Sequence, residues 1–159
     1  MPYLEACIDE ALRLYPVLGV LTREVVQDYT FATGLKVEKG VRVHIPVYHI
    51  QHNPDHFPDP EEYRPERFCG EEKSKVNPNT YMPFGAGPRL CIGMRFAKMQ
   101  MLAGLITVLK KYRLELANDM KKSVEFEPKS VLPQAIGGIR LKLIEREGWE
   151  QRQLRKADN

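Results

Sequence analysis

A chain of 159 residues, 43% hydrophobic and 28% charged, is long enough to bury a core and too apolar for an intrinsically disordered segment. A net charge of +3, spread over scattered basic residues, gives no footprint for nucleic acid. Cys7, Cys69 and Cys91 are odd in number and irregular in spacing, so we expect reduced thiols facing the cytosol rather than a disulfide framework.

Residues 1–15 predict a helix, because Leu4, Cys7, Ile8, Ala11, Leu12 and Tyr15 fall on one face and Pro16 forbids continuation. The helix begins almost at Met1 without a capping approach, from which we expect further chain upstream. The first residues lack a signal-peptide pattern, and no apolar run is long enough to span a membrane. Residues 23–48 read as a β region: Tyr29-Thr30-Phe31 and Leu35-Lys36-Val37 flank a turn at Gly34. Val41, Val43, Ile45 and Val47 then alternate with polar or proline positions, and Pro46 marks an edge or end. Asp59-Pro60-Glu61-Glu62 reads as a cap followed by proline, predicting a short helix. Twelve prolines crowd largely between Pro46 and Pro88, and residues 65–93 hold no period, so a long ordered loop is expected there. Met94, Ala97, Met101, Leu105, Val108 and Tyr112 then repeat at helical spacing, predicting a long helix over 93–113. Within 124–144, Val131 to Ile136 and Ile139 to Ile144 flank Gly137-Gly138, which predicts a β-hairpin tail. Beyond Glu145 the charged chain is expected to fray.

The run Pro83-Phe84-Gly85-Ala86-Gly87-Pro88-Arg89-Leu90-Cys91-Ile92-Gly93 carries most of the chemical information. Gly85 and Gly87 allow positive φ and close backbone approach to something flat or bulky. Cys91 stands just before the predicted helix, where unpaired N–H groups favour an anion and hence the thiolate that binds metal. Gly93 leaves room for a ligand plane, and Arg89 is placed to reach an acidic group on the same ligand. A lone cysteine beside a helix is ordinarily an inert small hydrophobe, so the surrounding pattern matters. A phosphate loop fails on spacing, because Met94 follows Gly93 and five residues separate Gly87 from Gly93. The dinucleotide fingerprint would require glycine where Leu90 stands.

Phe84, Gly87, Arg89, Cys91 and Gly93 match the Phe-x-x-Gly-x-Arg-x-Cys-x-Gly signature of the cytochrome P450 family without departure. Glu10-Ala11-Leu12-Arg13 resembles the family's Glu-x-x-Arg helix motif, and Pro65-Glu66-Arg67-Phe68 its Pro-Glu-Arg-Phe motif. The resemblance runs from the first helix to about Ile144. Ile45-Pro46 and Tyr81-Met82-Pro83-Phe84-Gly85 look most like the microsomal, xenobiotic-metabolising branch.

The resemblance implies a mainly α fold with small β-sheets (α+β), residues 1–159 being the C-terminal portion of a single domain. It implies haem b as cofactor, Cys91 as axial ligand to iron, and Phe84, Gly85, Gly87 and Gly93 around the ligand. Thiolate donation to haem iron favours O–O cleavage. Arg23 and Arg89 would neutralise haem propionates through charge-assisted bonds. Glu10, Arg13 and Arg67 would form a buried network that fixes the loop beneath the haem. Taken alone, Glu10 and Arg13 read first as a solvated ion pair on one helical face. Val17 to Leu21 and Val131 to Ile136 resemble substrate-contact segments, with core packing as the simpler alternative. Arg95, Lys98, Lys110 and Lys111 lie where an acidic reductase would dock, although such charges usually form a solvated face. His52 and His56 have the spacing of a zinc helix, but Pro54 between them breaks the helix such a site requires. Satisfied or solvent-facing histidines are expected.

The implied activity is insertion of one oxygen atom from O2 into a lipophilic small molecule. NADPH–cytochrome P450 reductase would supply electrons at the cytosolic face of the endoplasmic reticulum membrane, held there by an N-terminal segment absent from this chain. No catalytic residue beyond the haem ligand is readable, because the family's oxygen-activating acid–threonine helix has no counterpart here. The alternative is a truncated, non-catalytic haem-binding fragment.

Overall fold

Pro2 occupies the first helical turn, where its missing N–H is no loss, and the apolar stripe behind it folds as α1, Pro2–Leu14, in the computed structural model of the chain. Residues 1–121 and 123–151 are described. By its contacts the chain divides into two compact units, Met1–Ile92 and Gly93–Asn159.

In the first unit α1 closes with Tyr15 N–H donating to the Ala11 carbonyl at 2.8 Å, just before Pro16. Strand β1, Leu21–Glu24, lies before the alternating segment and pairs antiparallel with it. The short strands β2, Tyr29–Thr30, and β3, Lys36–Val37, form a hairpin through Gly34, whose φ is +88°. The alternating strand is β4, Arg42–Ile45, with Arg23 opposite Val43 and Leu21 opposite Ile45. It stops before Pro46, which cannot donate to the ladder. The chain then turns into one helical turn, α2, Val47–Gln51, where the alternation had predicted strand to continue through Val47. Val47 and Gln51, four residues apart, are its fully buried positions.

The helix predicted after Asp59 does not form. Asp59 has φ +52°, and only a single turn closes, Glu62 N–H to the Asp59 carbonyl. The positive φ of Asp59 takes the chain out of helical geometry, and the carbonyls of Asp59, Pro60 and Glu62 accept from buried guanidinium groups that hold this turn in place. The ordered loop expected over 65–93 carries short helical turns that its lack of period did not show. It holds a 3-10 turn at Pro65–Phe68, the short helix α3, Glu72–Lys75, and a second 3-10 turn at Gly87–Arg89. The apolar core gathers Ala6, Phe57 and Phe68, with Cys69, Val76 and Tyr81 packed against it. Thus α1 rests on the segment that leads into the glycine-rich loop.

The second unit opens with α4, Met94–Lys111, capped by Gly93, whose carbonyl accepts from Ala97 N–H at 2.8 Å. Tyr112 is not the last residue of this helix, as its spacing suggested. It begins β5, Tyr112–Leu116, whose alternating Tyr-Arg-Leu-Glu-Leu pattern is that of a strand. Its partner is β6, Leu141–Glu145. The hairpin predicted across Gly137-Gly138 is therefore absent, because both arms pair elsewhere. One arm contributes Ala135 to a bridge with Phe126, while the other completes the β5 ladder. Both glycines do adopt positive φ, so the chain turns where expected but between different partners. The fraying expected beyond Glu145 does not begin there. Trp149–Gln151 form a 3-10 turn, and the Trp149 indole donates to Glu145 at 2.8 Å; residues 152–159 lie outside the described residues. Helices with three two-stranded antiparallel sheets make the described residues an α+β fold.

Candidate functional site

Residues three apart on a helix share a face. On α1 that rule brings Glu10 and Arg13 together inside the protein, both fully buried. Arg13 Nε lies 2.8 Å from Glu10 Oε2, and Nη2 lies 2.9 Å from Oε1. The planar fork matches the carboxylate in two parallel bonds. Arg13 also donates to the carbonyls of Gln51 (2.9 Å), Pro60 (2.8 Å) and Glu62 (3.2 Å), so α1, α2 and the turn after Asp59 meet on one guanidinium. The face of Phe57 lies 5.3 Å from Arg13 Cζ. Glu10 Oε1 accepts the backbone N–H of Arg64 at 2.9 Å, at the entry to the Pro65–Phe68 turn.

Arg67 joins this cluster from that turn. Its Nε lies 3.4 Å from Glu10 Oε1, within reach of Coulomb attraction but without hydrogen-bond alignment, while Nη2 donates to the Asp59 carbonyl at 2.8 Å. Burial and then the nearby Arg64 charge push the Arg67 guanidinium below its ordinary range, partly offset by Glu10. An arginine remains charged under such a shift. One carboxylate thus faces two buried guanidinium groups; backbone carbonyls accept from Arg13 and from Arg67 Nη2, while Arg67 Nε is held near Glu10 by charge alone.

Two side chains that the sequence did not single out tie this cluster to the glycine-rich loop. Gln51 donates from Nε2 to the Leu12 and Arg13 carbonyls at 3.1 and 2.9 Å, and its Oε1 accepts Met82 N–H at 3.0 Å. Tyr81 reaches back to Asp9, with its oxygen 3.0 Å from Oδ1. Neither residue has a composition or spacing signal, because each finds its partners in segments remote in sequence.

The loop itself is held by its own backbone. Gly85 N–H donates to the Met82 carbonyl (2.9 Å), Leu90 N–H to Gly87 (3.0 Å), and Cys91 N–H to Phe84 (2.9 Å). Gly85 and Gly87 have φ of +82° and +69°, where a side chain would be strained. A Cβ on Gly85 would stand 3.5 Å from the Arg89 carbonyl and 3.9 Å from Arg23 Nη2, whereas one on Gly87 would meet open space. Strand β1 therefore carries the Arg23 guanidinium to the loop. Phe84 is half-buried, and Arg89, Leu90, Cys91 and Ile92 are exposed. All three cysteines are free thiols.

Other candidates resolve differently. His44 pairs with the Thr22 hydroxyl at 3.2 Å, and His52 sits 2.8 Å from the Tyr48 carbonyl and stacks on the Tyr48 ring. Among the described residues, no group of three or more His, Cys, Asp or Glu is arranged to hold a metal ion. No helix among them is long and apolar enough to cross a membrane. In the second unit, Lys111 lies 3.9 Å from Glu145 and over the Trp149 ring at 4.6 Å, so its charge is already engaged.

A sequence model of the family described as Cytochrome P450 matches residues 1–142. The chain belongs to the cytochrome P450 family. Among individual relatives it is 40% identical over 147 residues to lithocholate 6-beta-hydroxylase of Mesocricetus auratus. It is also 40% identical over 147 residues to cytochrome P450 3A16 of Mus musculus, and 39% identical over 144 residues to probable cytochrome P450 6a14 of Drosophila melanogaster. These alignments cover 90–92% of the chain but only 28–29% of each relative. The likeness to the microsomal, xenobiotic-metabolising branch of the P450 family fits these relatives.

Proposed function

We propose that this chain is the haem-anchoring part of a haem-thiolate monooxygenase, with Cys91 as the proximal ligand of haem b. The observation that carries the reading is the loop's end: Cys91 is pinned by its N–H to the Phe84 carbonyl while its thiol side chain stays exposed. The surroundings suit an apolar macrocycle that bears carboxylates. Leu90 and Ile92 offer exposed apolar surface beside the sulfur, and Arg23 supplies a cation against the loop. A lone thiolate suits a macrocycle that brings the other ligands itself.

When bound, the haem supplies the redox chemistry by which O2 is activated. The residues of this chain do the rest of the work proposed here. Cys91 donates electron density through sulfur, and Phe84 keeps water from the ligand, which tunes potential through a dry shell. Arg23 and Arg89 neutralise the propionates. Gly85, Gly87 and Gly93 leave the space that a side chain would fill. Glu10, Arg13 and Arg67 hold the approach to the loop rigid. Val17, Leu18 and Val20, and separately Val131, Leu132 and Ile136, offer exposed apolar surface suited to a lipophilic substrate. Arg95, Lys98 and Lys110 on α4 are the basic residues proposed to receive an acidic partner, NADPH–cytochrome P450 reductase, at the cytosolic face of the endoplasmic reticulum membrane.

The test is the spectrum of the reduced carbonyl complex in the haem-loaded protein that contains this chain. Thiolate ligation gives a Soret band shifted far to the red, and Cys91→His must abolish it. A folded, haem-loaded Cys91→His variant that keeps the band would overturn the assignment.

A further inference from the structure

The carboxamide of Gln51 lies between the end of α1 and the start of the cysteine loop, and all of its bonding capacity is spent on backbone. The last carbonyls of a helix lack intrahelical partners. In α1 the Ala11 carbonyl is taken by Tyr15 N–H, and those of Leu12 and Arg13 by Gln51 Nε2. Two carbonyls at one end of the amide and an N–H at the other leave a single orientation of the group. Its Oε1 therefore accepts from Met82, whose own carbonyl accepts Gly85 N–H, one residue beyond the Phe84 whose carbonyl holds Cys91 N–H. Gln51 is fully buried, so no water replaces a lost partner. Its backbone carbonyl also receives Arg13 Nη1.

We propose that Gln51 is a positioning residue for the proximal ligand: its side chain sets the height of the Cys91 loop against α1, acting through the Met82 amide. This deepens the haem-thiolate reading above and rests on it. The buried Glu10–Arg13 pair fixes α1 against the turn after Asp59, whereas Gln51 transmits that fixed point to the loop. A side chain with neither donor nor acceptor would leave the Met82 N–H unsatisfied and let the start of the loop move. A neutral histidine has one donor and one acceptor on opposite sides of its ring. It can serve Met82 and one α1 carbonyl together.

The experiment compares wild type, Gln51→Met and Gln51→His in the haem-loaded protein, reading the thiolate Soret band of the reduced carbonyl complex and the haem reduction potential. Gln51→Met is expected to convert part of the red-shifted band to a blue-shifted form and to move the potential, and Gln51→His to recover both. Unchanged band and potential in Gln51→Met, which a purely space-filling role predicts, overturn the proposal, as does equal damage in the two variants. Should Gln51→Met fail to fold, hydrogen exchange in the wild type decides. A Met82 amide as slow as the α1 interior supports the proposal, and one roughly ten-fold faster overturns it. Absence of the thiolate band from wild type itself would instead remove the haem-thiolate reading.

Discussion

Tyr81 and Asp9 meet across 72 residues of chain, with the phenol oxygen 3.0 Å from Asp9 Oδ1 and 3.1 Å from its carbonyl oxygen. The single phenolic proton serves one acceptor at a time, and Phe68 packs against the same ring at 4.7 Å. Through this contact the residue preceding Met82 is tied to α1, in parallel with the Gln51 bridge.

The first prediction concerns alkaline pH. Burial, and then the Asp9 carboxylate, raise the Tyr81 phenol well above its ordinary value of 10.0. The folded protein holds that proton more tightly than the unfolded chain does. The contribution is therefore complete below about pH 10 and declines as pH climbs above it, by about 1.4 kcal/mol per pH unit for one proton. Tyr81→Phe should cost about 1–2 kcal/mol at neutral pH and flatten the alkaline limb of stability. Urea unfolding at neutral pH and above pH 10 measures both, and an alkaline limb as steep in the variant as in wild type contradicts it.

Removing Arg13 has a larger expected effect. Arg13→Ala leaves the Glu10 carboxylate buried without its bidentate partner, and three carbonyls lose a donor. Breaking a buried pair from one side costs about 3–5 kcal/mol. The variant should fail to retain haem, measured as haem absorbance per protein. Arg13→Lys should not restore it, because one ammonium cannot span the same acceptors. Normal haem content in Arg13→Ala would show that the pair is dispensable.

Gly85 and Gly87 should respond differently to size. Alanine at either position forces positive φ on a residue with a Cβ, at a cost of about 1–2 kcal/mol. Leucine at Gly85 should cost clearly more than alanine, since it runs into the Arg89 carbonyl, Arg23 and Leu21. Leucine at Gly87 faces open space and should match alanine there. Thermal unfolding of the four variants decides it, and equal penalties for leucine at both positions would sink the distinction.

Arg23 is half-buried at the loop and Arg89 is exposed. If both neutralise carboxylates of the cofactor, Arg23→Gln should weaken haem binding more than Arg89→Gln. A charged hydrogen bond of about 1.5–3 kcal/mol corresponds to at least a roughly ten-fold change. Haem transfer to an excess acceptor protein gives the dissociation rates. Identical rates for wild type and Arg23→Gln remove that residue from the site.

How far the chain could be read in advance depended on the range of the interaction. The helices starting at Pro2 and Met94 were visible because their apolar spacing is local. The β1–β4 and β5–β6 pairings were not, since strand partners are chosen across long stretches of chain. The cap-and-proline pattern at Asp59 and Pro60 promised a helix by the same local logic. It failed because Asp59 takes a positive φ and Arg13 and Arg67 hold the carbonyls of that turn in place.

The order of residues alone determined the thiol, the glycines and the guanidinium groups near position 91, because a motif is a statement about neighbours in the chain. Only the tertiary structure decided that Glu10 and Arg13 are buried rather than solvated, and that Gln51 and Tyr81 tie the segment before the loop to α1. The physical reason is desolvation. Which polar groups lose water depends on what packs over them, and each one buried must find its partner wherever the fold supplies one.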